Sequence, residues 1–125
     1  MDISRSFMLV GVVFLVLGIP IGMYMGAVNN FALAPLHAHL NLLGFVLMTI
    51  FGILYRIVPA MADSGLAKVH FWLHTIGVSG VFVMLFLLLT GRITDAGMVP
   101  VAPASEGLVL LGILCYSLNL LRNGR

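Results

Sequence analysis

Charged residues are scarce in this chain of 125 residues: Asp, Glu, Lys and Arg together make up only 8% of it. A typical soluble domain is about a quarter charged. In contrast, 62% of the residues are hydrophobic, and the mean hydropathy is +1.18. A water-soluble domain of this length has too small an interior to hide so much apolar surface. The composition therefore predicts that the protein is dissolved in lipid.

Cysteine and acidic residues are also few. The single cysteine, Cys115, excludes an intrachain disulfide and a metal site of the CxxC type. The formal net charge is only +2, so the alkaline isoelectric point reflects a small number of charges. It does not indicate a nucleic-acid partner, which would require a dense basic surface.

Long apolar segments make up most of the chain. They lie at about 6–27, 36–58, 69–90 and 105–122, and short stretches containing Gly and Pro separate them. Each approaches the roughly 20 residues that cross a bilayer as an α-helix. The sequence therefore predicts an all-α membrane protein, with a single domain of four transmembrane helices over residues 1–125. Ser105, directly before Glu106, is predicted to cap the fourth helix.

The basic residues predict the orientation. If four helices alternate across the membrane, five of the six basic residues fall on the side of the termini, and only Arg92 falls on the other. Basic residues concentrate on the cytoplasmic side of membrane proteins. Both termini are therefore expected in the cytoplasm.

Glycines follow a regular spacing in the first segment, at Gly18, Gly22 and Gly26, with Pro20 between them. Small residues at every fourth position let a second helix approach closely, and a proline inside a helix is expected to kink it. Glycine is also frequent in membrane helices in general, so the sequence leaves open whether this stripe is a packing surface.

His37 and His39 are the main candidates for chemistry. Histidine inside a membrane span is costly and usually functional; the alternative is a pair of interfacial side chains in contact with headgroup water. Residues two apart lie about 200° apart around an α-helix. The two imidazoles therefore face opposite sides and cannot chelate one ion on a regular helix. Each is predicted to reach a different partner, either two flat cofactors or one cofactor shared with a neighbouring chain.

His70 and His74 are spaced i, i+4 and share a helix face. This spacing suits chelation of one transition-metal ion, although two histidines are an incomplete ligand set and no acidic residue lies near them on the same helix. The alternative is that they belong with Lys68 and Trp72 to a belt at the membrane interface. The sequence leaves both interpretations open.

Two further polar residues are weaker candidates. Asn41 is expected to bond across helices or to the edge of a cofactor, as is Thr49. Arg56 is a possible partner for a heme propionate or a lipid headgroup, but an anchor on the cytoplasmic side is the favoured interpretation.

The segment HAHLNLLGFVLMTIFGILYRIVP, followed by AKVHFWLHTIGV, resembles the catalytic subunit I of the heme-copper oxidase superfamily. The resemblance covers about residues 33–80. It implies that the chain corresponds to one of the three four-helix arcs of that subunit. It also implies b-type heme as the cofactor, with His37 and His39 as axial ligands at the high-spin and low-spin positions and Asn41 beside them. If an arc with a single histidine is the better match, His37 takes the low-spin position.

The departures from the family pattern limit what the resemblance implies. The copper-ligand motifs of the family, an HPEVY-like helix and an adjacent histidine pair, are absent. Bound copper, a complete oxidase and catalytic residues are therefore not expected. The implied role is electron transfer, or heme or gas sensing, in the bacterial inner membrane. A homo-oligomer, with a trimer as the first expectation, would complete the heme site, and a respiratory-chain or quinol partner is expected.

Two other functions remain open. One is a membrane protein that binds a transition metal through His70 and His74 with ligands from a partner. The other is a structural or assembly factor of a respiratory complex, in which the histidines only pack. These alternatives differ in whether the purified protein holds heme, another metal, or neither.

Overall fold

The computed structural model describes all 125 residues, and its regular elements are all helical. They are α1 (Ile3–Val28), α2 (Ala34–Ile57), the one-turn α3 (Pro59–Ala62), α4 (Gly65–Leu89) and α5 (Val101–Asn123), with a 3₁₀ turn at Asp95–Met98 before α5. Four of the helices, α1, α2, α4 and α5, are long and apolar enough to cross a membrane. The four predicted spans are thus confirmed as helices.

The start of α5 differs from the prediction. The helix begins at Val101, and Ser105 lies inside it and is buried. The Ser105 hydroxyl donates to the carbonyl of Val101 at 2.8 Å, so the prediction that this residue caps the helix was wrong. Pro103 is tolerated in the first turn of this helix because N–H groups there have no intrahelical acceptor.

Helix α2 changes its winding along its length. Residues Ala34–His39 and Leu47–Ile57 are α-helical, whereas Leu40–Val46 is a π-helix. In a π-helix each hydrogen-bonded turn contains one more residue than in an α-helix, and such segments occur frequently at functional sites. Here the π-helical segment directly follows His39.

The spanning helices form two closely packed pairs, α1 with α2 and α4 with α5. In the second pair Gly77 allows the contact, because a Cβ there would lie 2.8 Å from the backbone of Ser105 and Val109. In the first pair Gly18 and Gly22 contact α2, whereas Gly26 has no atom within 4 Å of the position of a Cβ. Two of the three glycines of the α1 stripe are therefore used in packing.

The two pairs meet in an aromatic core. The buried cluster includes Phe7 of α1, Phe51 and Tyr55 of α2, and Phe71 and Phe82 of α4. Large aliphatic side chains cover the outside of the bundle. Apolar side chains thus lie both in the core and on the outer surface, as expected for a bundle with lipid as its solvent. The few polar side chains inside the bundle are therefore candidates for function.

Candidate functional site

His70 and His74 lie on the inner face of α4 and are completely buried, with 0% of either side chain exposed. Lys68 and Trp72 alternate with them in sequence and lie on the exposed face of the same helix. The interfacial-belt interpretation was therefore wrong for both histidines. The reason is that α5 packs along this face of α4, so that neither imidazole reaches the surface.

Aromatic rings from the other three spanning helices surround the two imidazoles. The Phe51 ring is nearly perpendicular to both, with centroids 4.5 Å from His70 and 5.4 Å from His74. The ring of Phe7 lies 4.9 Å from His70, and the ring of Tyr116 lies 5.3 Å from it. We refer to His70 and His74 as the buried histidine pair; α1, α2 and α5 all converge on it.

Most of the ring nitrogens in the buried histidine pair have no hydrogen-bond partner. Nδ1 of His70 lies 2.9 Å from the hydroxyl of Tyr55, but Nε2 of His70 and both nitrogens of His74 are unpartnered. A neutral imidazole always carries one N–H donor and one lone pair. The backbone carbonyl of Leu43, in the π-helical segment of α2, faces His74 and can accept from its N–H, so one ring nitrogen is left without a partner, at a cost of about 1–3 kcal/mol. Such groups in a native protein point to a water or an ion at the site.

His37 is turned towards α1, and both of its ring nitrogens are used within the chain. Its Nδ1 lies 2.8 Å from the carbonyl oxygen of Gly18, which can only accept, so Nδ1 carries the proton and donates it. Its Nε2 accepts a hydrogen bond from Nδ2 of Asn41 at 3.1 Å. His37 has no free nitrogen for an external ligand unless Asn41 moves away.

His39 faces away from α1 and is exposed. Its Nδ1 lies 2.7 Å from the carbonyl oxygen of Pro35 and donates to it, which leaves Nε2 as a lone pair without a hydrogen bond inside the chain. A bond from Nδ1–H to a carbonyl is the usual support of a metal-binding histidine, since it fixes the tautomer and raises the basicity of Nε2. His39 is therefore the better prepared of the two α2 histidines for a ligand from outside the chain.

Two grooves flank His39. One, of about 280 Å³, is lined also by Leu43, Val81, Glu106 and Val109. The other, of about 190 Å³, is formed by α2 alone and lined mainly by apolar side chains. Both open at the surface of the bundle. A flat ligand at His39 would therefore lie on the outside of one chain, against apolar walls.

The remaining candidate residues do not join a site with His39. The Oδ1 atom of Asn41 and the Oγ1 atom of Thr49 are buried without partners. Arg56 lies near the other end of α2, about 26 Å along the helix from His39 at 1.5 Å per residue. Its Nη1 atom is 3.6 Å from the carboxylate of Asp2, and both side chains are exposed.

The four histidines thus do not form one site. The structure brings His70 and His74 together, keeps His37 and His39 on different sides of α2, and contains no group of three or more His, Cys, Asp or Glu that could hold a metal ion. Phe51 and Tyr55 were not predicted as neighbours of the buried histidine pair. Their i, i+4 spacing, the same as that of the histidines, was the available signal.

Comparison of the chain with protein-family models, with curated proteins and with solved structures gives no match. The resemblance to heme-copper oxidase subunit I stays a prediction that rests on the motifs between residues 33 and 80. The geometry of the histidines is the other evidence for function.

Proposed function

We propose that this chain is a multi-pass membrane protein that binds b-type heme through His39 and transfers electrons. The observation that supports this proposal is the unpartnered, outward-facing Nε2 atom of His39, whose ring is held in the required tautomer by the carbonyl of Pro35. Histidine nitrogen is a common axial ligand of heme iron. When bound, the heme supplies an iron centre that accepts and releases one electron.

The residues around His39 fit a heme. Leu42 and Leu43 on α2, with Val81 and Val109 on the neighbouring helices, form the apolar walls of the two grooves, and Glu106 is the one carboxylate that lines them. These walls would hold the apolar faces of the macrocycle and exclude water from the iron. An apolar shell of this kind is one of the factors that set the redox potential of a metal centre.

A second ligand for the heme iron would have to come from another chain, because His39 is alone on its side of α2 and the buried histidine pair is enclosed. In a twofold assembly His39 of each copy would face one iron. In a trimer His39 would pair with His37 of the next copy, and the assembly would contain three four-helix units. This pairing requires Asn41 to release Nε2 of His37. The twofold pairing requires no such change, so the geometry favours it.

The distribution of basic residues supports the orientation. With the termini in the cytoplasm, as the five-to-one distribution favours, His39 would lie near the outer face of the bacterial inner membrane. The heme would then exchange electrons with a respiratory-chain component or a quinol on that side. With histidine in both axial positions no position remains for a gas, which favours electron transfer over gas sensing.

The test is the absorption spectrum of the protein purified in detergent after expression with ample heme. We expect a sharp Soret band, with α and β bands on reduction. His39→Ala is expected to lose this spectrum, and added imidazole should restore it by replacing the missing side chain. A wild-type protein without a Soret band would contradict the proposal and leave a structural or assembly role. An unchanged spectrum in His39→Ala would also contradict it.

His37→Ala and an intact-mass measurement distinguish the assemblies. Retention of the heme spectrum in this variant, with an even number of chains per particle, indicates twofold pairing through His39. Loss of the spectrum together with a three-chain mass indicates the trimer.

A further inference from the structure

The largest cavity of the structure, of about 320 Å³, lies at the end of the bundle that carries both termini. We propose that it binds the headgroup of a membrane phospholipid whose phosphate carries a primary ammonium group, as in phosphatidylethanolamine. The proposal is independent of heme binding at His39. It gives Arg56 a specific ligand in place of a general role as an anchor.

Charged side chains of both signs line this cavity. Asp2 and Asp63 contribute carboxylates, and Arg56 contributes a guanidinium group. A guanidinium matches the geometry of a phosphate and binds it through two parallel hydrogen bonds. Carboxylates accept charge-assisted hydrogen bonds from an ammonium group. The guanidinium repels a metal cation, whereas a zwitterion requires both signs of charge, so the lining favours a zwitterionic ligand.

The charged groups of the cavity are only weakly paired within the chain. The single ion pair of the structure joins Nη1 of Arg56 to the carboxylate of Asp2 at 3.6 Å, and both side chains are exposed. Exposed pairs of this kind contribute little to stability. A bound headgroup would replace this pair by two others, phosphate with Arg56 and ammonium with Asp2. Asp63 forms no ion pair within the chain and provides a second acceptor for the ammonium.

A buried hydroxyl in the wall of the cavity is an independent indication of a ligand. Ser4 lines the cavity and is only 3% exposed, and its Oγ atom has no hydrogen-bond partner. Buried polar groups in native proteins are nearly always hydrogen-bonded, and an exception points to a group that is bound there. A phosphate oxygen in the cavity would accept a hydrogen bond from this hydroxyl.

The size and position of the cavity favour a lipid over a soluble ligand. Its volume corresponds to roughly ten groups of the size of a water molecule, at about 30 Å³ each. This space accommodates a phosphate and an ethanolamine group, but acyl chains would have to lie outside it. Ile53 and Ile57 flank Arg56 at the end of α2 and are 45% and 67% exposed. The acyl chains would pack against these two side chains.

The test is a titration of the detergent-purified protein with three lipids, followed by native mass spectrometry. Phosphatidylethanolamine carries the primary ammonium, phosphatidylcholine has no N–H donor, and phosphatidylglycerol has no ammonium. We expect one phosphatidylethanolamine per chain, bound roughly tenfold more tightly than either of the others. Equal binding of the three lipids would overturn the proposal. Glycerophosphoethanolamine has the same headgroup without acyl chains, and equally tight binding of this compound would overturn the assignment to a lipid.

Charge-removing variants locate the site. Arg56→Gln and Asp63→Asn should each weaken phosphatidylethanolamine binding roughly tenfold. Arg92→Gln and Asp95→Asn are the matched controls, since they remove the same charges from the connection between α4 and α5 at the opposite end of the bundle. Equal affinities in the cavity variants and the controls would contradict the site. Circular dichroism checks folding, and the comparison of lipids on the wild-type protein decides the proposal even if a variant fails to fold.

Discussion

The ring of His37 lies in the space that Gly22 leaves by having no side chain. A Cβ at position 22 would lie 2.7 Å from Cε1 of His37 and 3.2 Å from its Nδ1. The same ring donates to the carbonyl of Gly18, one turn earlier on α1. The close packing of the start of α2 on α1 therefore depends on the absence of a methyl group at position 22.

Gly22→Ala is expected to lower the free energy of unfolding by about 1–3 kcal/mol, the usual cost of overpacking a close contact. The matched control is Gly26→Ala on the same helix, where nothing lies within 4 Å of the added methyl. That variant should be neutral or more stable by up to about 1 kcal/mol, since alanine is the better helix former. Denaturant unfolding in detergent, followed by circular dichroism, measures both. Equal stabilities would show that His37 does not occupy this position.

Gly77→Ala is expected to separate α4 from α5. The added Cβ would lie 2.8 Å from the Ser105 carbonyl and from the Val109 backbone nitrogen, and backbone atoms cannot rotate away as a side chain can. We expect a loss of about 2–3 kcal/mol, at the upper part of the overpacking range. Gly107→Ala on α5, with open space around the new methyl, is the control. If both variants unfold at the same denaturant concentration, the close packing of α4 on α5 is not present in solution.

Asn119→Ala tests a buried polar contact between α5 and α3. Nδ2 of Asn119 donates to the carbonyl of Met61 at 3.0 Å, and the asparagine is 0% exposed. Its removal leaves the Met61 carbonyl with only the longer bond from the Ser64 N–H, at 3.3 Å, and takes away the acceptor of Asn123 Nδ2. The protein should therefore be destabilised by about 1–3 kcal/mol. Ser117→Ala removes an exposed hydroxyl that only bonds its own helix and should change stability little. Thermal unfolding of the two variants side by side gives the comparison.

Tyr55→Phe removes the hydroxyl that lies 2.9 Å from Nδ1 of His70. It should lower the free energy of unfolding by about 1–3 kcal/mol, because a buried imidazole nitrogen then loses its partner. The heme spectrum should not change. Tyr116→Phe is the control, since this ring also lies beside His70 but makes no hydrogen bond to it. Denaturant unfolding in detergent measures both variants. Unchanged stability in Tyr55→Phe would contradict the hydrogen bond between its hydroxyl and His70.

Much of the fold could be predicted because lipid imposes simple length and composition rules. An apolar run of about 20 residues is sufficient to identify a spanning helix, and the four helices lie where the runs are. Helix ends were harder to place. Ser105 has the chemistry of a cap, yet it bonds back to Val101 within the helix, because the residues before it are also compatible with a first turn.

The site could be predicted only in part, because helical spacing gives relative directions and not the identity of the neighbour. The i, i+2 spacing correctly separated His37 from His39, and the i, i+4 spacing correctly placed His70 with His74. The spacing could not show that the face with His70 and His74 is covered by α5, nor that a Cβ at Gly112 on that helix would lie 3.2 Å from the backbone nitrogen of His74. Burial was therefore missed where it depended on contacts between distant parts of the chain.

The π-helical segment at Leu40–Val46 sets the rotational phase between the two halves of α2. Because a π turn holds one residue more than an α turn, the segment accommodates one extra residue without rotating the rest of the helix. If the same residues wound as a regular α-helix, the N-terminal half would turn by about 100° relative to the C-terminal half. With Phe51 and Tyr55 fixed on the buried histidine pair, His37 would leave Gly22, and His39 would leave its grooves. The positions of the two histidine sites therefore depend on the π-helical winding of Leu40–Val46, which couples their geometry through a single helix.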